Sequence, residues 1–196
     1  NRSVPGYSAI IDMVGQLAQR YCKNGSLIYD LGCSLGASSL SIAQNIEHND
    51  YKIIAIDNSE AMITRFKSDL QEQKATASKI EVKLEDIRES EINSASMVVL
   101  NFTLQFISVK DRDQLIRKIS AGMVPGGILI ISEKISFTNK DVNNLFIDLY
   151  HKFKEKQGYS ELEISQKRDA LETVLIPEPL EKHYERLIGA DFESIE

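Results

Sequence analysis

The chain has little of what marks several large protein classes. Only two cysteines, Cys22 and Cys33, occur in 196 residues. They form neither a CxxC pair nor a disulfide framework, so a reducing cytosol is the expected compartment. The three histidines, His48, His151 and His183, show no metal-ligand spacing such as HExxH, and no metal site is expected. Basic residues are not in excess: the net charge is −6, which gives no general attraction for nucleic acid or for an anionic membrane. No apolar run approaches the roughly 20 residues of a membrane span, and no secretory signal is visible. Internal repeats and low-complexity tracts are absent too. The sequence starts at Asn1 without a Met, so an N-terminal segment is expected to be missing. What remains, 42% apolar and 27% charged residues, suits one globular domain over residues 1–196.

Periodicity supplies the architecture. Tyr7, Ile10, Ile11, Val14, Leu17, Ala18 and Tyr21 recur at helical spacing. Short runs rich in Ile, Val and Leu then read as strands buried on both faces: Ser26 to Tyr29, Tyr51 to Ile56, Ile80 to Leu84, Ser96 to Leu100 and Gly127 to Ser132. Helical segments lie between them, roughly Ala37 to Ile46, Glu60 to Gln73 and Lys110 to Met123. Such alternation predicts right-handed crossovers and an open, doubly wound α/β fold with a mostly parallel, Rossmann-like sheet. The C-terminal third departs from it. Val142, Leu145, Phe146, Leu149, Tyr150 and Phe153 predict a helix stopped near Gly158, Ser160 and Glu163 form a capping box for a second, and Leu180 to Ile188 suggests a third ending at Gly189. These helices, about 138–189, are expected to cover one end of the sheet. Phe192 to Glu196 reads as the start of another strand, with the final strands missing from this sequence.

The turn Asp30-Leu31-Gly32-Cys33-Ser34-Leu35-Gly36 follows the first strand and opens a helix. Glycines there let the backbone pass close to a ligand, and the helix start offers free N–H groups. Ligands of open α/β sheets bind beyond the carboxyl ends of the strands, and each proposed strand ends in polar groups: Asp30, Asp57 and Asn58, Asp86, Asn101, then Glu133 and Lys134. Asp57, about twenty residues after Gly36, is placed to accept hydrogen bonds from ribose hydroxyls. A dinucleotide enzyme uses the same acid, but the turn lacks the GxGxxG order, and a ligand with one ribose and an amino-acid tail fits better. Asp86 and Ile87 offer a carboxylate for an exocyclic amine and an apolar face for a purine. The set resembles the class I methyltransferase fold, which binds S-adenosyl-L-methionine.

Gly32-Cys33-Ser34-Leu35-Gly36 also fits the GxSxG nucleophile elbow of hydrolases. That reading fails on topology, because the elbow normally follows several strands and precedes its acid and histidine. Cys33 is expected to be a small buried residue beside the ligand rather than a reactive thiol.

Five stretches narrow the resemblance: Arg2 to Tyr7, Tyr29 to Gly36, Ile54 to Ser59, Ser96 to Phe106 (with its Asn101-Phe102-Thr103-Leu104-Gln105-Phe106) and Gly158 to Arg168. Together they resemble the carboxy-S-adenosyl-L-methionine synthase family over nearly the whole chain. The resemblance implies conversion of S-adenosyl-L-methionine and prephenate to carboxy-S-adenosyl-L-methionine and phenylpyruvate. It further implies a homodimer, a downstream tRNA-modifying enzyme as consumer of the product, and no direct nucleic-acid binding. The implied site residues are Tyr7, Gly32, Cys33, Ser34, Asp57, Asn58, Asp86, Ile87, Asn101 and Arg168. Arg168 is the distinctive one, since a planar guanidinium suits the extra carboxylate of such a product. Two readings stay open beside it, an ordinary methyltransferase acting on a small molecule or RNA, and a non-catalytic S-adenosyl-binding partner.

Overall fold

The computed structural model describes residues 4–163, 165, 166 and 174–196. Its centre is a five-stranded, all-parallel sheet of β1 (Ser26–Leu31), β2 (Tyr51–Asp57), β3 (Ile80–Leu84), β4 (Ala95–Asn101) and β5 (Met123–Ser132), in the order β3-β2-β1-β4-β5. The order reverses between β1 and β4, so the crevice at the topological switch opens there.

Side-chain alternation along the central strands divides the core in two. Ile28, Met97 and Val99 face α1 (Tyr7–Tyr21), α2 (Ala37–Asn45) and α3 (Glu60–Gln71), meeting Val14, Ala18, Ile42 and Phe66. Tyr29, Val98 and Leu100 face the other way, onto Leu115, Ile116 and Ile119 of α5 (Val109–Gly122). Both faces are therefore covered, as the doubly wound reading requires. A short α4 (Lys74–Ala77) precedes β3.

All five expected strands form; β3 and β5 end where expected, while β1, β2 and β4 run on at their carboxyl ends, where Leu31, Asp57 and Asn101 still belong to the ladder. β5 also begins earlier than expected, at Met123. Ala95 pairs with Met123 and Met97 with Ile128, so the intervening residues, including Gly126 at φ +76°, bulge out of register.

Beyond β5, a two-residue β6 (Ile135–Ser136) pairs with β7 (Glu178–Pro179), framing α6 (Lys140–Lys156); α7 (Leu180–Ile188) follows. The Ser160 and Glu163 capping box forms as read: Ser160 N–H donates to Glu163 Oε2 (2.8 Å) and Glu163 N–H to Ser160 Oγ (3.3 Å). Arg168, within the second helix read from the sequence, lies outside the described residues. One expectation is corrected: Phe192 to Glu196 forms no strand, and Leu187, Ala190 and Phe192 pack against the second core instead. On α6, Leu145, Phe146 and Leu149 are about half exposed.

Candidate functional site

The first glycine turn is built by close packing as much as by ligand access. Gly32 has φ +79°, and a Cβ there would stand 2.4 Å from the Thr103 side chain. The N–H groups of Gly32 and Cys33 both donate to Ile56 O (2.8 and 3.0 Å), locking the turn to the end of β2. Asp57 completes the lock. Its Oδ2 accepts from Ser34 N–H (2.8 Å) and its Oδ1 from Ser59 N–H (2.9 Å). Each carboxylate oxygen has a second lone-pair site, so Asp57 is held in place with acceptor capacity left for a pair of hydroxyls. Asn58 beside it is exposed.

Asp30 sits beneath this turn, only 1% exposed, and takes Ser39 N–H (3.0 Å) and Ser39 Oγ–H (2.6 Å). Burial pushes its carboxyl up to about 6, and the hydrogen bonds from Ser39 offset part of that shift. Asp30 thus anchors the start of α2. Cys33 is buried, and burial together with the charges of Asp30 and Asp57 drives its thiol far above the ordinary range. This fits the packing role expected of it.

Across the crevice, Asn101 ends β4 and the loop after it brings Phe102 onto Tyr7. Asn101 Nδ2 donates to Ser38 Oγ (3.3 Å), while its Oδ1 is buried with no hydrogen-bond partner. An unpaired buried acceptor carries a desolvation cost of about 1–3 kcal/mol, so a donor from a ligand at this position would relieve it. Next in the chain, Phe102 adopts φ +57° and stacks on Tyr7 with ring centroids 6.3 Å apart. Burial and, secondarily, the Asp30 carboxylate raise the Tyr7 hydroxyl above its usual range, which keeps it a neutral donor.

Asp86, after β3, is engaged by a neighbour. Arg88 N–H, Nε and Nη2 all donate to it, at 2.9, 3.1 and 2.6 Å, and the bonds from Arg88 hold its carboxyl below the ordinary carboxylate range despite partial burial. Ile87 is 5% exposed and packs in the second core, so its side chain is committed to the fold. Lys118 of α5 fixes this loop by donating to the carbonyls of Ile87, Arg88 and Ser90, each at 2.8 Å.

Of the expected residues, Gly32, Cys33, Ser34 and Asp57 form one hydrogen-bonded unit with exposed Asn58 next in the chain, while Tyr7 stacks on Phe102 and Asn101 bonds Ser38. Asp86 and Ile87 stand on the next loop along the same sheet edge. Sequence reasoning missed three contributors. Phe102 and Thr103 were quoted only as letters of a motif, although a stacked ring and a side chain against Gly32 are what seat the turn. Arg112, 1% exposed, donates to the carbonyls of Gln105 (3.2 Å), Ile107 (2.9 Å) and Ile176 (2.8 Å) and pairs with Glu178. Nothing in helical spacing distinguishes it from a surface arginine. Among the described residues no cluster of His, Cys, Asp and Glu could hold a metal ion, and no helix is long and apolar enough to cross a membrane.

Comparison with known proteins agrees with this geometry. A methyltransferase domain profile matches residues 28–127. A putative methyltransferase of Bacillus halodurans superposes with a TM-score of 0.67, covering 93% of this chain and 70% of its own at 14% identity, which shows the fold. Carboxy-S-adenosyl-L-methionine synthases of Actinobacillus pleuropneumoniae serotype 7 and of Escherichia coli are each 52% identical over 195 residues, covering all of this chain and 80% and 78% of their own lengths. The chain therefore belongs to the carboxy-S-adenosyl-L-methionine synthase family.

Proposed function

We propose that this enzyme binds S-adenosyl-L-methionine at the β1–β4 crevice and carboxylates its sulfonium methyl group at the expense of prephenate. Identity at 52% along the whole chain to proteins named for that product carries the reading. The pocket chemistry supports its first half: Asp57 for the ribose, Asp86 for the adenine amine with Arg88 sharing its carboxylate, and Asn101 for the amino-acid tail. In the reaction, prephenate loses its ring carboxyl as CO2 and its ring hydroxyl, giving phenylpyruvate. The proton lost from the sulfonium methyl leaves with that hydroxyl as water, and the resulting ylide carbon bonds to the CO2. Excluding bulk water and holding both reactants together supply much of the acceleration. Arg168 grips the new carboxylate, and the Tyr7 hydroxyl donates to it. The product serves as carboxymethyl donor to a tRNA-modifying enzyme in the cytoplasm. The half-exposed Leu145, Phe146 and Leu149 of α6 support a homodimer, since such a stripe is normally covered by a partner surface.

An ordinary methyltransferase is the second reading, favoured by the methyltransferase domain match. Incubation with S-adenosyl-L-methionine and prephenate, followed by mass spectrometry, separates the two. The synthase yields phenylpyruvate and an S-adenosyl compound heavier by one carboxyl group; absence of both products overturns the proposal. Arg168→Ala is expected to abolish the carboxylated product while sparing much of the S-adenosyl-L-methionine affinity, and unchanged turnover would remove Arg168 from its role.

A further inference from the structure

Glu133, directly after β5, is a buried carboxylate that touches none of the groups assigned to the ligand. Its Oε1 accepts from Leu104 N–H (2.6 Å) and its Oε2 from Gln105 N–H (3.2 Å). These are the first amides of the 3-10 turn Leu104–Phe106, so the carboxylate caps a turn whose N–H groups otherwise have no partner within it. The same turn follows Phe102 and Thr103, which join it to Asn101 at the end of β4.

That loop is strained. Phe102 is a bulky residue at φ +57°, a conformation that costs a non-glycine residue stability and persists only where its surroundings over-determine it. One restraint is Phe102 N–H to Ser132 O (2.7 Å), on the amino-terminal side of the turn. Glu133 supplies the grip on the other side, and Arg112 holds the carbonyls of Gln105 and Ile107 from beneath. The strained residue stacks on Tyr7, and its neighbours set Asn101 and press Thr103 against Gly32.

We propose that Glu133 is a positioning residue for S-adenosyl-L-methionine, holding the Asn101–Thr103 loop in its binding conformation by pinning the Leu104 and Gln105 amides. This rests on the pocket assignment made above. Burial raises the Glu133 carboxyl to about 7, against the pull of the Leu104 and Gln105 amides. The ionised carboxylate thus carries a desolvation cost that the two amides offset only in part.

Glu133→Gln is close to isosteric, but its amide must turn an N–H toward one of the two backbone donors. Calorimetric titration with S-adenosyl-L-methionine at pH 8 is expected to show Kd raised at least tenfold under conditions where urea titration shows both proteins fully folded. A purely structural residue would lower the urea midpoint and leave the affinity of the folded protein unchanged. Glu133→Asp keeps the charge on a shorter stem and should bind between the two; if Glu133→Gln does not fold, this variant decides, with wild-type affinity refuting the role. Wild-type protein that binds no S-adenosyl-L-methionine overturns the pocket assignment and the inference together. Binding by wild type with Kd for Glu133→Gln within twofold of it overturns the inference alone.

Discussion

Gly36→Ala isolates how far the glycine turn is fixed by packing, because two demands fall on one position. Its φ is +78°, and an ideal Cβ would lie 1.9 Å from Phe66 Cζ, in a ring that is 0% exposed at the centre of the first core. The left-handed conformation costs an L-residue about 1–2 kcal/mol, and overpacking a fully buried ring costs about 1–3 kcal/mol. Their sum, about 2–5 kcal/mol, is a large part of the roughly 5–15 kcal/mol that stabilises a typical domain. Gly126→Ala is the matched control: φ is +76°, but nothing lies within 4 Å of its Cβ, so only the conformational cost of about 1–2 kcal/mol remains. Urea denaturation of both variants should give a loss at Gly36 at least about 1 kcal/mol larger than at Gly126. Phe66→Leu, combined with Gly36→Ala, should recover part of the loss in a double-mutant cycle, since the clash is with the ring. Equal losses at the two glycines, or strict additivity with Phe66→Leu, would refute the account.

Two further outcomes follow from the buried charges. Arg112→Met leaves Glu178 with Arg186 alone and takes a donor from the Gln105, Ile107 and Ile176 carbonyls; leaving such buried groups short of a partner typically costs about 1–3 kcal/mol, read as a lower urea midpoint. Asp30 titrates near 6 when folded, above its ordinary 3.8, so the folded state binds the extra proton and stability falls as pH rises across that window, by on the order of 3 kcal/mol. Asp30→Asn should flatten the urea midpoint between pH 4 and 6, and an unchanged slope there would contradict the burial argument.

The sheet was legible because strands buried on both faces are written as continuous Ile, Val and Leu runs, and the helices between them keep a clean 3.6-residue period. β2 and β4 were drawn short at their carboxyl ends because Asp57 and Asn101 look like loop residues although their backbones still pair. The bulge in β5 was invisible for a similar reason. Val124, Pro125 and Gly126 read as a helix-to-strand loop, and only pairing with β4 shows that Met123 is already in the ladder. In the site, acids at strand ends were found by position alone, without indication of their different employment. Asp30 is spent on Ser39, Asp86 on Arg88, and Asp57 keeps capacity to spare. Those assignments depend on neighbours such as Arg88 and Ser39, and no spacing rule singles out either of them.

The loop after β4 shows why composition could not separate a site residue from a structural one. Asn101 has a buried, unpaired oxygen, and the residues that hold the turn after it, Glu133 and Arg112, come from 32 positions later and 11 positions later in the chain. Both holders grip the turn through its backbone amides and carbonyls rather than through its side chains, so the residues of the loop leave no trace of what grips them. A buried carboxylate and a buried guanidinium each cost stability unless satisfied. Their placement on opposite sides of one three-residue turn is explained if the turn must be rigid, and the strained Phe102 beside Asn101 supplies the reason for rigidity.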